Sequence, residues 1–268
     1  MAIPAKDVMN LRKKSGLGMM ECKAALEEAG GDMAVAEENL RKKGLAKMDG
    51  RADRESAEGR VAAAVCDDAS QGTLVEVNTE TDFTAKNDAF GAMVDQIAAM
   101  GLGQASGDLV KSDAMQAAID EIRLTTKENV QFAKGAVFGG EGKKVGSYVH
   151  FTGKLGVLVE CQGDAPAELL KDLCMHISAI TPAPLGLSEE DIPAEIVEKE
   201  KEIAKGQAIE QGKPEAIAEK MVVGKIRKYY DDVVLLRQKF IKDDSKQIKD
   251  LLPAGVTITR FARYQVGN

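Results

Sequence analysis

The sequence predicts an α+β protein: an N-terminal three-helix module, a linker, and two related α+β core subdomains carrying an inserted antiparallel αα-hairpin. Three observations lead there. Apolar residues recur at helical spacing through residues 1–43, then give way after residue 60 to the alternation of half-buried strands. A hairpin followed by a helix occurs twice, and Gly72-Thr73-Leu74-Val75-Glu76-Val77 is similar to Gly156-Val157-Leu158-Val159-Glu160-Cys161, each in the second strand of its hairpin. Between the core elements, residues 188–230 return to a purely helical period.

In the first module Pro4 suits a helix start, and Val8 with Leu11 gives an apolar edge that Ser15-Gly16-Leu17-Gly18 interrupts. Cys22, Ala25, Leu26 and Ala29 form the stripe of a second helix, closed by Gly30-Gly31. Asp32 then caps a third helix bearing Met33, Ala36 and Leu40. Residues 44–59 are charged, glycine-spaced and without an apolar period, and read as a linker, transiently helical at most, that lets the module reposition.

The first core subdomain is expected over 60–140. It has a hairpin of 60–65 and 73–78, a helix with Phe90, Met93, Val94 and Ile97, a second helix with Met115, Ala118, Ile119 and Ile122, and a returning strand at 131–138. The second spans 141–187 and 231–268. Its hairpin of 145–151 and 154–161 turns near Thr152-Gly153, and a helix carries Leu169, Leu173, His176, Ile177 and Ile180. A strand at 233–236, a short helix at 245–252 and a final strand at 256–266 complete it. In the insertion, Ser188-Glu189-Glu190-Asp191 is a capping pattern, Pro193 fits a first turn, and Gln211-Gly212-Lys213-Pro214 separates two amphipathic helices.

Composition narrows the function. A net charge of −7 argues against a phosphate-backbone binder, so no direct nucleic acid partner is expected. No apolar run is long enough for a bilayer, and the first residues lack a signal or transit pattern, so the expected location is cytoplasmic with no membrane partner. Cys22, Cys66, Cys161 and Cys174 are scattered in apolar contexts and read as buried reduced thiols. With only His150 and His176, there is little material for a metal site or catalytic triad. No metal, cofactor or catalytic residue is expected. His176 lies on an apolar helix stripe and reads as a satisfied core histidine. Gly101-x-Gly103-x-x-x-Gly107 follows a helix and has the wrong spacing for a dinucleotide loop.

One stretch stands apart: Glu76-Val77-Asn78-Thr79-Glu80-Thr81-Asp82-Phe83-Thr84-Ala85-Lys86, a strand end running into a helix start. By residue chemistry alone, Asp82 reads as the N-cap of a helix beginning near Thr84 and Phe83 as a core anchor. The pattern Glu-Val-Asn-x-Glu-Thr-Asp-Phe-x-Ala-Lys, however, resembles a signature of the elongation factor Ts family. Leu11-Arg12-Lys13-Lys14-Ser15-Gly16-Leu17-Gly18-Met19-Met20-Glu21-Cys22-Lys23-Ala24-Ala25-Leu26 resembles that family's first signature, and its Gly16-Leu17-Gly18-Met19-Met20 turn resembles that of ubiquitin-associated three-helix modules. Departures are Ser15 for the usual Thr, Ala24 for a polar residue, Thr84 for Val, and Thr126 where some members place an apolar contact.

The resemblance implies a guanine nucleotide exchange factor that makes no bonds and binds elongation factor Tu in its GDP-bound and nucleotide-free states. It assigns Thr81, Asp82, Phe83 and Thr84 to dislocating the partner's magnesium ion, and Arg12, Met19, Met20, Lys23 and His150 to partner binding. Of Met19 and Met20, one is expected to plug the small core and the other to be exposed. Homodimerisation through the helical hairpin is the further partner expectation. The alternative is a non-catalytic adaptor whose three-helix module binds a helical or ubiquitin-like partner.

Overall fold

The computed structural model describes residues 3–15, 17–50, 53–212 and 214–267. Gly16 of the first break, Arg51 and Ala52 of the expected linker, and Lys213 of the hairpin turn therefore lie outside the described residues. The first helices are α1 (Ala5–Ser15), α2 (Met19–Glu28) and α3 (Met33–Asp49). Asp32 starts α3 by accepting the N–H groups of Ala34 and Val35 at 2.9 and 3.1 Å. Val8, Leu11, Cys22, Leu26, Ala36 and Leu40 share a small core of their own.

Two antiparallel sheets come next. The first has the order β1 (Glu58–Val65), β2 (Gln71–Thr79), β4 (Gln131–Gly139), β3 (Gly107–Asp108). The second has β5 (Lys143–Val149), β6 (Leu155–Gln162) and β9 (Thr257–Gln265). Strand alternation divides the side chains between two layers. On one side of the first sheet, Ala62, Val75 and Val77 pack under α5 (Asp88–Gly101) and α6 (Asp113–Thr126). On the other, Val61, Leu74, Ala136 and Phe138 meet Val145 and Leu158 of the second sheet. The far side of that sheet, Val157, Val159 and Cys161, is covered by α7 (Ala167–Ala179). The core is thus helix, sheet, sheet, helix.

The repeat inferred from sequence has a structural counterpart. β2 and β6 are the middle strands of their sheets, and each shifts register just after its glutamate, Glu76 or Glu160. Both glutamates are buried, and each lies opposite a cation on the next strand: Lys134 at 3.3 Å from Glu76, and Arg260 at 2.7 Å from Glu160. Gly72 and Gly156 hold equivalent places where the sheets meet. A Cβ on Gly156 would stand 2.5 Å from Val61 Cγ1, and one on Gly72 2.8 Å from Val145 Cγ1. The missing side chains are what let the two layers approach.

The insertion is α8 (Ala194–Glu210) paired with α9 (Glu215–Val233). Val197, Ala204, Ala208 and Ala218 are buried, while Ile196, Ile203, Ile209, Ile217 and Val223 remain exposed.

Several expectations are corrected. Residues 44–49 continue α3 instead of beginning a linker. A Cβ on Gly44 would lie 2.4 Å from Leu124 Cδ2, so a bare backbone lets α3 lie against α6. The end of that stretch is pinned, since the Asn129 side-chain amide donates to Arg54 O at 2.8 Å and Ser56 Oγ donates to Asn129 O at 2.9 Å. Val233-Val234-Leu235-Leu236 is not a strand: Val233 ends α9, Val234 N–H closes on Tyr230 O, and a 3-10 turn covers Leu235–Arg237. A short apolar run has no period with which to tell a strand from a buried crossing. Residues 245–252 are not one helix either. They finish β8 (Asp243–Gln247), which pairs with β7 (Lys239–Phe240), and continue as a 3-10 turn over Ile248–Leu251. Asp243 accepts from both the backbone N–H and the hydroxyl of Ser245, favouring the turn over a helix start. Cys22, Cys161 and Cys174 are buried free thiols, but Cys66 is only half-buried.

Glu160 gives the core a pH signature. Burial pushes its carboxyl up, but Arg260, Lys143 at 2.6 Å, Thr259 Oγ1 at 2.6 Å and the Gly139 N–H at 2.7 Å outweigh that and hold it at about 2. A folded value below the ordinary 4.5 means this stabilisation is complete above that pH and is lost as pH falls through 2. Glu160→Gln is expected to cost about 2–3 kcal/mol in urea denaturation at pH 7, below the range for fully buried pairs because both cations keep contact with water. Its difference from the parent should shrink between pH 4.5 and 2. A difference that does not vary with pH would contradict the assignment. Gly156→Ala is expected to cost about 1–3 kcal/mol by overpacking, with Val61→Ala in the same chain recovering part of it in a double-mutant cycle.

Candidate functional site

The corner forms where β2 can no longer pair. After Thr79 the chain turns at Thr81, whose Oγ1 accepts the Thr84 N–H at 3.3 Å and so caps a single helical turn, α4 (Asp82–Ala85). Asn87 then caps α5 through the Ala89 N–H at 2.8 Å. The expected cap is displaced by one residue: Thr81 does the work assigned to Asp82, which lies in the first turn where an acid suits the helix dipole.

Helical geometry sorts the four residues of α4 into two faces. Thr84 and Ala85 are buried, while Phe83 is 83% exposed and the Asp82 side chain is 41% exposed. Phe83 as a core anchor is thereby overturned, because α5 already fills that core with Phe90. Thr84, grouped with the site from sequence, faces inward and supports the turn. Asp82 accepts from Lys86 Nζ at 2.7 Å, which holds its carboxyl below the ordinary value, and the charge of Lys154 acts in the same direction.

Glu128 braces the corner from beyond the end of α6. One of its oxygens accepts from Thr79 Oγ1 at 2.7 Å and from the Thr81 N–H at 3.1 Å; the other accepts from Thr81 Oγ1 at 2.6 Å. In return, Glu80 accepts the Asn129 N–H at 2.7 Å and pairs with Arg54 at 3.3 Å. Burial pushes the Glu128 carboxyl up, but the threonine hydrogen bonds prevail and leave it below its ordinary value.

The turn joining β5 to β6 flanks this corner. Gly153 O accepts the Val61 N–H at 2.7 Å, and Lys154 pairs with Glu58 at 2.6 Å. His150 ends up half-buried in that turn, its Nδ1 2.8 Å from Thr152 Oγ1. Beside it Phe151 is 90% exposed, its ring centroid 4.3 Å from that of His150. Arg12, Met19, Met20 and Lys23 form a second group on the separate three-helix core, and all four are exposed. The division of labour expected of the methionines is corrected: Met19 is 45% and Met20 76% exposed, and Leu17 packs against the small core instead.

Sequence reasoning missed Glu128, Phe151 and Met9, another exposed methionine on α1. Phe151 had a signal, an aromatic in a hairpin turn where a polar residue is usual. Glu128 had none, since its partners are 47 to 49 residues away. His176 is the satisfied core histidine expected, with Nε2 3.1 Å from Gln238 Oε1 and Nδ1 accepting the Ile241 N–H at 3.3 Å. Among the described residues, no three His, Cys, Asp or Glu side chains are grouped to hold a metal. No helix among them is long and apolar enough to cross a membrane.

The family model described as "Elongation factor TS" matches residues 80–268. The chain is 40% identical to the elongation factor Ts of Trichlorobacter lovleyi, with all of this chain and 93% of the relative covered. It is 42% identical to that of Alkalilimnicola ehrlichii over the same shares, and 42% identical to that of Prosthecochloris aestuarii over 99% of each. With the signatures at Leu11–Leu26 and Glu76–Lys86, a matched family model over most of the chain and relatives aligned end to end, this chain belongs to the elongation factor Ts family.

Proposed function

We propose that this chain promotes release of GDP from elongation factor Tu, so that GTP can load. The observation that carries the reading is Phe83, almost wholly exposed on a corner fixed by buried neighbours and standing beside Asp82. A magnesium ion in the partner neutralises phosphate charge, so disturbing its coordinating shell loosens the nucleotide. Asp82 presents a competing carboxylate near that shell, while Phe83 wedges the switch region apart. Burying the ring in the partner is worth about 1.5–3 kcal/mol. The proposal has no chemical bond made or broken by this chain, so none of its residues is assigned to bond chemistry.

Arg12, Met19, Met20 and Lys23 serve as the docking group. Exposed methionines adapt to an apolar partner surface, and the two cations set the register. His150, with Phe151 beside it, is assigned to the same partner near the corner. The second core subdomain carries the β5–β6 turn that holds His150 and Phe151.

Replacing Asp82 and Phe83 together by Ala is expected to lower the accelerated release of fluorescent GDP by roughly ten- to a hundredfold, the loss of one buried ring read as a rate. The urea midpoint should barely move, because neither side chain packs into the core. Undiminished acceleration would remove the mechanism. By linkage, GDP must also weaken the complex by the same factor by which the complex weakens GDP binding. Titration calorimetry with and without GDP checks this. A complex indifferent to the nucleotide would point to the non-catalytic adaptor.

A further inference from the structure

We propose that Glu128 is a positioning residue for the Asp82–Phe83 corner, acting on exchange only through the geometry it imposes there. The inference rests on the exchange reading above. A one-turn helix has no stability of its own, because nucleation fixes several dihedrals for a single hydrogen bond. Phe83 touches little of its own fold, so its direction is set by the backbone beneath it. That backbone is held on both sides of Glu80 by one carboxylate, through the Thr79 hydroxyl, the Thr81 N–H and the Thr81 hydroxyl. The same Thr81 oxygen receives the Thr84 N–H, so the chain of contacts runs from Glu128 through Thr81 to the turn that carries the ring.

Glu128 is itself fixed. Its N–H donates to Thr126 Oγ1 at 3.3 Å, Lys127 before it closes α6 with φ of 62°, and the next N–H, of Asn129, is taken by Glu80. The two strands of chain therefore clasp each other reciprocally. Thr79 is fully buried, and without Glu128 its hydroxyl loses the acceptor it bonds here, which favours rearrangement of the corner. A wedge gains rate from being held in place before the partner arrives, since ordering it during exchange would subtract from the effect. Loss of the brace should therefore reduce the maximal rate of release more than the affinity.

The test uses the full chain with elongation factor Tu and fluorescent GDP, titrated to saturation to separate complex affinity from maximal release rate. Glu128→Ala is expected to lower the maximal rate at least ~tenfold and to change affinity less than about threefold. Glu128→Gln keeps the shape and an acceptor for Thr79 and the Thr81 N–H, while its amide can donate to the Thr81 oxygen. It should recover most of the rate. In the Asp82→Ala, Phe83→Ala background, Glu128→Ala should have no further effect, because the group through which it acts is gone. If Glu128→Ala does not fold, Thr81→Val, which breaks the same chain of contacts at its middle, reads the same split. A maximal rate at the parent level, a loss confined to affinity, or an equal further loss in the background lacking both side chains would overturn the proposal. Failure of the exchange reading is distinguishable: the Asp82→Ala, Phe83→Ala chain itself would then release GDP as fast as the parent.

Discussion

The structure depends on two sheets packed back to back through their middle strands. Leu74 and Leu158 share that interface, and the layers close because Gly72 and Gly156 put no side chain between them. β2 is consequently covered on both sides, by the second sheet and by α5 and α6, and is buried along most of its length. A strand so constrained gives the corner at its end a firm base.

Both middle strands carry a buried acid at their register shift, and the two are compensated differently. Glu160 has four hydrogen-bonding partners drawn from β4, β5 and β9, so it ties the first sheet to the second. Glu76 has only the charge of Lys134 at 3.3 Å from Oε2, and that buried oxygen has no hydrogen-bond partner among the described residues. The two hairpins share the placement of the acid, and the surroundings of the two subdomains account for the difference. The charged network lies where the subdomains meet, and there it fixes their register as well as contributing to stability.

The corner itself runs against the grain of a stable fold. Two of the most exposed large apolar side chains, Phe83 and Phe151, occupy turns held by several hydrogen bonds each. Stability alone would place polar residues there, and in the proposed exchange role the rigidity serves presentation. The expense is met locally, by Thr84 and Ala85 packing inward and by Glu128 joining Thr79 to Thr81.

Sequence by itself determined the strongly periodic elements, the repeat of hairpin and helix, the core stripes of α2, α5, α6 and α7, and the presence of a distinctive Asp-Phe pair at a strand-to-helix junction. These come from chain periodicity and from residues whose partners are at most a few positions away. Tertiary structure alone decided that Phe83 faces water and Thr84 does not, that both Met19 and Met20 are exposed, and that residues 233–236 end a helix and enter a 3-10 turn instead of forming a strand. It also decided that Glu128 belongs to the corner. The physical reason is that an element's period says only that it has two faces. Which face is wet, and which distant carboxylate meets a given hydroxyl, depends on what else packs there, and those groups lie tens of residues away.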